Sequence, residues 1–256
     1  MTLLIDRLSV RIPVERGEVH AVTEADLVAA PGRPHFVIGG SGSGKSTLCA
    51  AVTGTLPASA RISGRVKTTG DGRIGVVPQS AMTCFTPVRK LGRQLAETVR
   101  WLRGERGPRE LLDLVGLEAS ALGKYPHELS GGMLQRAAIA AAIAGDPEVV
   151  VADEPTSALD RERSRDVVSL LTELAADRAV LVATHDIEAL GGVDAELSVM
   201  FASRIVETGP AAEVLAAPRN PYTRDLLAAL PENGLHPLPF PTPDLVDLPG
   251  DYRYGG

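Results

Sequence analysis

One glycine-rich segment of the sequence has the composition of a phosphate-binding loop. Residues 39–46 fit the pattern G-x-x-x-x-G-K-[ST] between a predicted strand and a predicted helix, the context that this pattern requires. In such a loop the backbone amides surround phosphate oxygens, and the helix N-terminus adds a favourable dipole. Lys45 is expected to reach the β- and γ-phosphates of a nucleotide, and Ser46 a Mg²⁺ ion. The predicted binding residues are Gly39, Gly40, Ser41, Gly42, Ser43, Gly44, Lys45, Ser46 and Thr47.

Two adjacent carboxylates follow an apolar run of the sequence. Asp153 and Glu154 come directly after residues 149–152, which read as a strand buried on both faces. Asp153 is expected to hold the water shell of Mg²⁺, and Glu154 to polarise an attacking water as a general base. The alternative is a strand that simply ends at the surface. A phosphate-binding loop earlier in the chain favours the catalytic interpretation.

A serine and two glycines stand at the start of a predicted helix. Taken alone, Ser130 before Gly131 and Gly132 indicates an N-cap. Free amides and a hydroxyl at a helix N-terminus can also hold a γ-phosphate. Because residues 39–46 already serve this chain's own nucleotide, the second interpretation implies the nucleotide of another subunit.

The elements that must position these residues alternate along the chain. Residues 3–28 alternate apolar and polar positions and predict an antiparallel sheet, with a turn at Gly17. Strands are predicted at 35–38, 74–77, 149–152 and 179–183, separated by helices, which indicates a parallel α/β sheet. Residues 88–128 read as helical, with Trp101 beside their apolar stripe and expected to pack in the core; a partner contact is the alternative.

Composition excludes several classes of protein. The 256 residues carry a net charge of −6 and only 4% aromatic side chains, which argues against nucleic acid as the main partner. Cys49 and Cys84 cannot form a disulfide framework. The sequence starts without the features of a signal peptide and contains no membrane-length apolar run, so we expect a cytoplasmic chain without a transmembrane segment.

Taken together, the motifs resemble the ATP-binding subunits of ABC transporters over residues 1 to about 215. The resemblance rests on the order of the P-loop, Gln79, the signature residues 129–132, the acidic pair, residues 157–160 and His185. It implies an α/β fold: a P-loop NTPase (RecA-like) core with an N-terminal antiparallel β subdomain and an inserted α-helical subdomain at about 80–135. The ATPase domain is predicted over 1–215, with a C-terminal extension over 216–256.

The same resemblance implies roles for residues outside the P-loop. Members of the family form head-to-tail dimers that hold two ATP molecules between the P-loop of one subunit and the signature of the other. Ser130, Gly131 and Gly132 would then bind ATP in trans. By the same resemblance, Gln79 senses Mg²⁺ and a membrane subunit, Asp160 lies at the dimer interface, and His185 contacts the γ-phosphate and orients Glu154.

A narrower resemblance joins the chain to the oligopeptide, dipeptide and nickel importer branch. It rests on residues 125–132 and 218–227, where Asn220 stands in place of the branch's usual histidine.

The extension continues into a proline-rich tail, expected to be extended along the surface or disordered. Because no cysteine follows Cys84, no iron–sulfur cluster is predicted, and the short chain leans toward nickel or metal-chelate import. Near the family's usual adenine-stacking aromatic, this chain has Ile12.

These observations predict an ATP-hydrolysing coupling subunit at the cytoplasmic face of the membrane, with ATP and Mg²⁺ as ligands. The implied partners are a second ATPase subunit, identical or different, two membrane-spanning permease subunits and, indirectly, a substrate-binding protein. A soluble ABC-type nucleotide switch of translation or DNA repair is the alternative. Those relatives carry tandem units or long insertions, whereas 85 positions separate Lys45 from Ser130. A catalytically silent heterodimer partner is disfavoured by Glu154 and His185.

Overall fold

The alternating residues at the N-terminus form an antiparallel sheet. In a computed structural model that describes residues 1–249 and 252–255, strands β1 (Leu3–Val14) and β2 (Gly17–Ala29) form a hairpin around the predicted turn. Strand β4 (Arg61–Thr68) pairs with the other edge of β1, which gives the strand order β2-β1-β4. Strand β2 of this sheet lies against the glycine-rich loop, since a Cβ at Gly44 would overlap the carbonyl oxygen of Ala21.

The second sheet is parallel apart from its last pair of strands. Its strands are β3 (His35–Ile38), β5 (Ile74–Val77), β6 (Val149–Asp153), β7 (Ala179–Ala183), β8 (Glu196–Phe201) and β9 (Arg204–Pro210). Their order in the sheet is β5-β6-β7-β3-β8-β9, and only β8 and β9 are antiparallel.

The central strands are apolar throughout because both of their faces are buried. Alternate side chains of β6 and β7 enter two different hydrophobic clusters, as the two-residue period of a strand requires. Val150 and Val182 join a cluster built with the helices, whereas Val151 and Leu181 join one built with the antiparallel sheet. The prediction of strands buried on both faces is confirmed.

Seven α-helices are present in the part of the chain that the structure describes. Helix α1 follows the glycine-rich loop, α2 to α4 lie between β5 and β6, and α5 joins β6 to β7. Among the described residues, none of the helices combines the length and the apolar character that a bilayer crossing requires. Their bounds are α1 (Lys45–Thr53), α2 (Leu91–Leu102), α3 (Pro108–Leu114), α4 (Gly131–Ala142), α5 (Arg161–Leu174), α6 (Ala211–Ala216) and α7 (Pro221–Ala228).

The prediction that Trp101 packs in the core is wrong. Its side chain is 83% exposed, although Leu91 and Leu95 of the same helix are fully buried. At 100° per residue, position 101 lies about 80° away from the apolar stripe that begins at Leu91. Trp101 is therefore next to the apolar stripe in the sequence but lies outside the buried face of α2.

The C-terminal region begins with two short helices and continues without regular helices. After α7 and a 3-10 turn (Pro231–Asn233), the chain runs along the surface and forms a bridge between Val246 and Val19. The predicted extension covers 216–256, of which residues 250, 251 and 256 lie outside the described residues. The domain bounds at 80–135 and 215 stay predictions; α4 continues past 135, and α6 spans 211–216.

The contrast within α2 gives a stability test. Replacing the fully buried Leu95 by alanine is expected to lower the free energy of unfolding by about 2–5 kcal/mol, because it leaves a cavity. Trp101→Ala on the same helix should change it by only about 0.5 kcal/mol, because that side chain is solvated. Urea denaturation of both variants measures the difference. A loss at Trp101 equal to that at Leu95 would contradict the placement of α2.

Candidate functional site

Strand register brings three loops to one edge of the parallel sheet. Ala183 of β7 pairs with Val37 of β3 on one side and with Asp153 of β6 on the other. The three strands therefore end at nearly the same level. The glycine-rich loop follows β3, Glu154 follows β6 and His185 follows β7. The carboxyl edge of a parallel sheet is where such folds bind ligands.

The glycine-rich loop needs glycine at two positions for steric reasons. Gly39 and Gly44 have φ values of +155° and +108°. A Cβ at Gly39 would overlap the carbonyl oxygen of Met200, and one at Gly44 the carbonyl oxygen of Ala21. These close approaches fix the loop between the two sheets, directly before α1 begins at Lys45.

Two polar side chains of this loop are buried, but only one of them has hydrogen-bond partners in the described chain. The ammonium group of Lys45, 6% exposed, donates to the carbonyl oxygens of Gly39 at 2.9 Å and Gly40 at 3.2 Å. The hydroxyl of Ser43 is buried and has no hydrogen-bond partner among the described residues. A buried cation and an unpartnered hydroxyl in one loop favour a polyanionic ligand there.

Glu154 is the central carboxylate of the site. It is 8% exposed and adopts φ +49°, a left-handed conformation that is unfavourable for a residue with a Cβ. Its backbone amide donates to Ala183 at 2.7 Å, which fixes this conformation. The carboxylate lies 3.6 Å from Nζ of Lys45 and accepts hydrogen bonds from His185, from Nδ1 at 2.6 Å and from the backbone amide at 3.1 Å.

The neighbouring pair of Ser46 and Asp153 could hold a metal ion. The Ser46 hydroxyl donates to Oδ1 of Asp153 at 3.0 Å. Burial, with a further contribution from the Glu154 charge, raises the pKa of Asp153 above its ordinary value. Mg²⁺ takes oxygen ligands and commonly uses one or two carboxylates together with substrate phosphates. The residues therefore fit this ion, whose charge would offset the desolvation of Asp153.

The other predicted site residues lie apart from the P-loop. Gln79 is exposed and lines a pocket of about 290 Å³ together with Gly131. Ser130 caps α4 by accepting a hydrogen bond from Met133, and Asp160 caps α5 by accepting one from Arg163. Within the described chain, the structure thus joins Lys45, Ser46, Asp153, Glu154 and His185 by direct contacts, and it gives the signature residues the N-cap geometry.

Sequence reasoning missed two residues that reach the loop from the C-terminal region. The amide of Gly40 donates to the hydroxyl of Tyr222 at 3.0 Å. Leu245 lines a pocket of about 280 Å³ beside residues 42–47, together with Ile12, Val19 and Ala21. Local patterns carry no sign of either contact, because each joins residues about 180 or more positions apart.

A phosphate-type loop between a strand and a helix, beside an acidic strand end, defines the class of P-loop nucleotide-binding proteins. Residues 22–157 match the family model described as ABC transporter. The chain belongs to the ABC transporter family, as its motifs implied, and within that family it is an ATP-binding ATPase.

Curated relatives and solved structures agree with this family. The dipeptide transport ATP-binding protein DppD of Escherichia coli is 34% identical over 281 aligned positions, covering 97% of this chain and 86% of that protein. The oligopeptide transport ATP-binding protein OppD of Bacillus subtilis is 31% identical over 280 positions, covering 96% and 78%.

Two solved structures resemble the fold. The protein cbiO1 from Clostridium perfringens, part of the ABC transporter complex cbiONQ, has a TM-score of 0.68 at 26% identity, covering 84% of this chain and 90% of that one. The ATP-binding cassette MJ0796, solved as a dimer bound to ADP and Pi, has a TM-score of 0.67 at 23% identity, covering 82% and 98%. The predicted P-loop NTPase fold, with its antiparallel β and helical subdomains, is confirmed.

The steric role of Gly44 can be tested against a second glycine of the same loop. Gly42 also has a positive φ, +75°, but a Cβ there would meet no atom within 4 Å. Gly42→Ala should therefore cost about 1 kcal/mol of unfolding free energy from backbone strain alone. Gly44→Ala should cost about 1–3 kcal/mol more, because its Cβ overlaps β2. Equal losses in urea denaturation would contradict this geometry.

Proposed function

We propose that the protein is the ATP-hydrolysing coupling subunit of an ABC importer for peptides. The observation that carries the catalytic part is the contact of Glu154 with both Lys45 and His185 at the carboxyl edge of the sheet. The names of the relatives in E. coli and B. subtilis, which refer to dipeptide and oligopeptide transport, support peptides over nickel as cargo.

In this proposal residues 39–47 bind the phosphates of ATP. The loop amides donate hydrogen bonds to the phosphate oxygens, and Lys45 exchanges its present bonds with the Gly39 and Gly40 carbonyls for the β- and γ-phosphates. Ser43, whose hydroxyl is buried without a partner in the described chain, gains one. Ser46 and Asp153 would hold Mg²⁺, and Gln79 is the further ligand that the family resemblance implies. When bound, the ion neutralises charge on the phosphates.

Hydrolysis would proceed by general base catalysis. A water oxygen forms a bond to the γ-phosphorus as the bond from that atom to the β,γ-bridging oxygen breaks, and Glu154 accepts the water proton. ADP leaves with the electron pair of the broken bond. His185 would orient the Glu154 carboxylate through its Nδ1 hydrogen bond, and its exposed ring would contact the γ-phosphate.

Two subunits would be needed for a complete site. The exposed N-terminus of α4, with Ser130, Gly131 and Gly132, presents free amides to an anion. Gly131 lines a pocket with Gln79, and a different pocket lies beside residues 42–47, so we infer that the N-terminus of α4 binds the ATP of a second subunit. Asp160 at the N-terminus of α5 would lie at the same interface. The dimeric form of MJ0796 supports this arrangement.

An importer also requires membrane-spanning subunits and a protein that captures the substrate. Two membrane-spanning permease subunits would contact the segment around Gln79, so that the chain sits at the cytoplasmic face of the membrane as a peripheral subunit. A substrate-binding protein would deliver the peptide to the permease. The net charge of −6 fits a chain that does not bind nucleic acid.

The catalytic roles are tested by ATP turnover. Glu154→Gln should bind ATP but lose turnover by about 10²- to 10⁴-fold, because the base is removed while the shape is kept. Glu105→Gln, the same substitution at an exposed glutamate between α2 and α3, is the matched control. Undiminished phosphate release from the Glu154 variant would contradict its role.

Nucleotide binding through the P-loop has its own test. Lys45→Ala should abolish ATP binding measured by calorimetry, because the cation that pairs with the phosphates is lost. Lys67→Ala, an exposed lysine on β4, should bind like the unaltered chain. Normal affinity in the Lys45 variant would overturn the P-loop assignment.

The cargo is tested by uptake. Cells whose own copy of the gene is deleted should recover uptake of a labelled dipeptide or oligopeptide when the unaltered chain is restored, but not when Glu154→Gln is. Uptake of nickel, measured in parallel, should not depend on the chain. The reverse pattern of uptake would assign a metal importer. In a second experiment the chain is purified from membranes, and failure to co-purify with any membrane protein would favour the soluble nucleotide switch.

A further inference from the structure

The proline-rich tail returns to the N-terminal hairpin and pairs with it. The amide of His20 donates to the Leu245 carbonyl at 2.8 Å, and the amide of Asp247 donates to the Glu18 carbonyl at 2.9 Å. The Asp247 carboxylate also accepts a hydrogen bond from the Glu18 amide at 3.0 Å. Residues 244–248 thus form an added edge segment on β2, although more than 220 residues of chain separate the two.

Described residues within this segment and beyond its C-terminal end are anchored as well. Leu248 is buried. Further along, Tyr254 stacks edge-on against Phe201 and Tyr222, with ring centroids 5.1 Å and 5.2 Å away, and donates a hydrogen bond to Asp225 at 2.9 Å. The tail is therefore held by backbone pairing and by aromatic packing, which makes it a fixed surface rather than a loose end.

The pairing places one apolar side chain of the tail beside the phosphate loop. Leu245 is half-buried and lines the pocket of about 280 Å³ that extends from residues 42–47 to Ile12 and Val19. The pocket stays open with Leu245 in its wall, so the tail borders this space and does not fill it. All four side chains that the hairpin and the tail contribute, Ile12, Val19, Ala21 and Leu245, are aliphatic, which suits the flat apolar face of a nucleotide base.

We propose that residues 244–248 complete the nucleotide-base pocket of this chain, with Leu245 in direct contact with the base. A nucleoside triphosphate whose phosphates lie on residues 39–46 would extend its base toward Ile12, Val19 and Leu245. The C-terminal tail then contributes a binding residue to the ATP site of its own subunit. This inference rests on the proposed binding of ATP by the P-loop.

The test separates contacts with the base from contacts with the phosphates. Affinities of the full-length chain for ATP and for inorganic triphosphate, which has no base, are measured by calorimetry. Leu245→Ala should weaken ATP binding about threefold to tenfold, because apolar contact with the base is lost, and should leave triphosphate binding unchanged. Leu245→Phe, which keeps an apolar surface, should bind ATP at least as tightly as the unaltered chain.

Leu238→Ala is the matched control, since Leu238 is a half-buried leucine of the same tail that does not line the pocket. It should leave both affinities unchanged. Three results for Leu245→Ala would overturn the inference: unchanged ATP affinity, tighter ATP binding, which would mean that the tail obstructs the pocket, or equal weakening for ATP and triphosphate, which would mean that the tail only supports the P-loop.

The failure of the proposed function gives a different pattern. If Lys45→Ala binds ATP and triphosphate as tightly as the unaltered chain, the phosphates do not lie on the P-loop, and the assignment of the base pocket falls with it. If Lys45→Ala loses both ligands while Leu245→Ala changes neither, the P-loop assignment stands and only the role of the tail is contradicted.

Discussion

The common register of three parallel strands is the constraint on which the site depends. Because Ala183 pairs with Val37 on one side and Asp153 on the other, β3, β6 and β7 end at the same level. A shift of one strand by a residue would turn its buried side chains to the opposite face, and both faces here are hydrophobic cores with different partners. The packing of the two cores therefore fixes the positions of Lys45, Glu154 and His185 relative to one another.

The electrostatics of the site are arranged for a ligand that carries several negative charges. Taking Lys45 and Glu154 out of water costs free energy, and their attraction offsets this only where the remaining donors and acceptors are also paired. The carbonyl oxygens of the P-loop and the groups of His185 supply those partners. When phosphates replace the two carbonyl oxygens as partners of Lys45, Lys45 would leave this network, whereas Glu154 would keep its hydrogen bonds with His185. The same contacts thus pair both buried charges in the protein without nucleotide and hold the Glu154 carboxylate in one orientation.

The sequence predicted the parts of the site that lie within single motifs. The P-loop and the acidic pair are short segments at strand ends, so spacing predicts where they lie. The roles assigned to them stay predictions, as do those of Gln79, Asp160 and Ser130, which come from the family resemblance. Leu245 and Tyr222 could not be found in this way, since their contacts with the P-loop region arise from the path of the whole C-terminal chain. Trp101 shows the opposite error, because a residue next to an apolar stripe in the sequence can lie outside the buried face of its helix.

The most direct test of the account is an experimental structure of the full chain with a non-hydrolysable ATP analogue and Mg²⁺. The account predicts that Nζ of Lys45 contacts the β- and γ-phosphates instead of the Gly39 carbonyl, that Glu154 faces the γ-phosphate while bonded to His185, and that the base touches Leu245. An analogue bound elsewhere, with Lys45 still bonded to the Gly39 and Gly40 carbonyls, would contradict it.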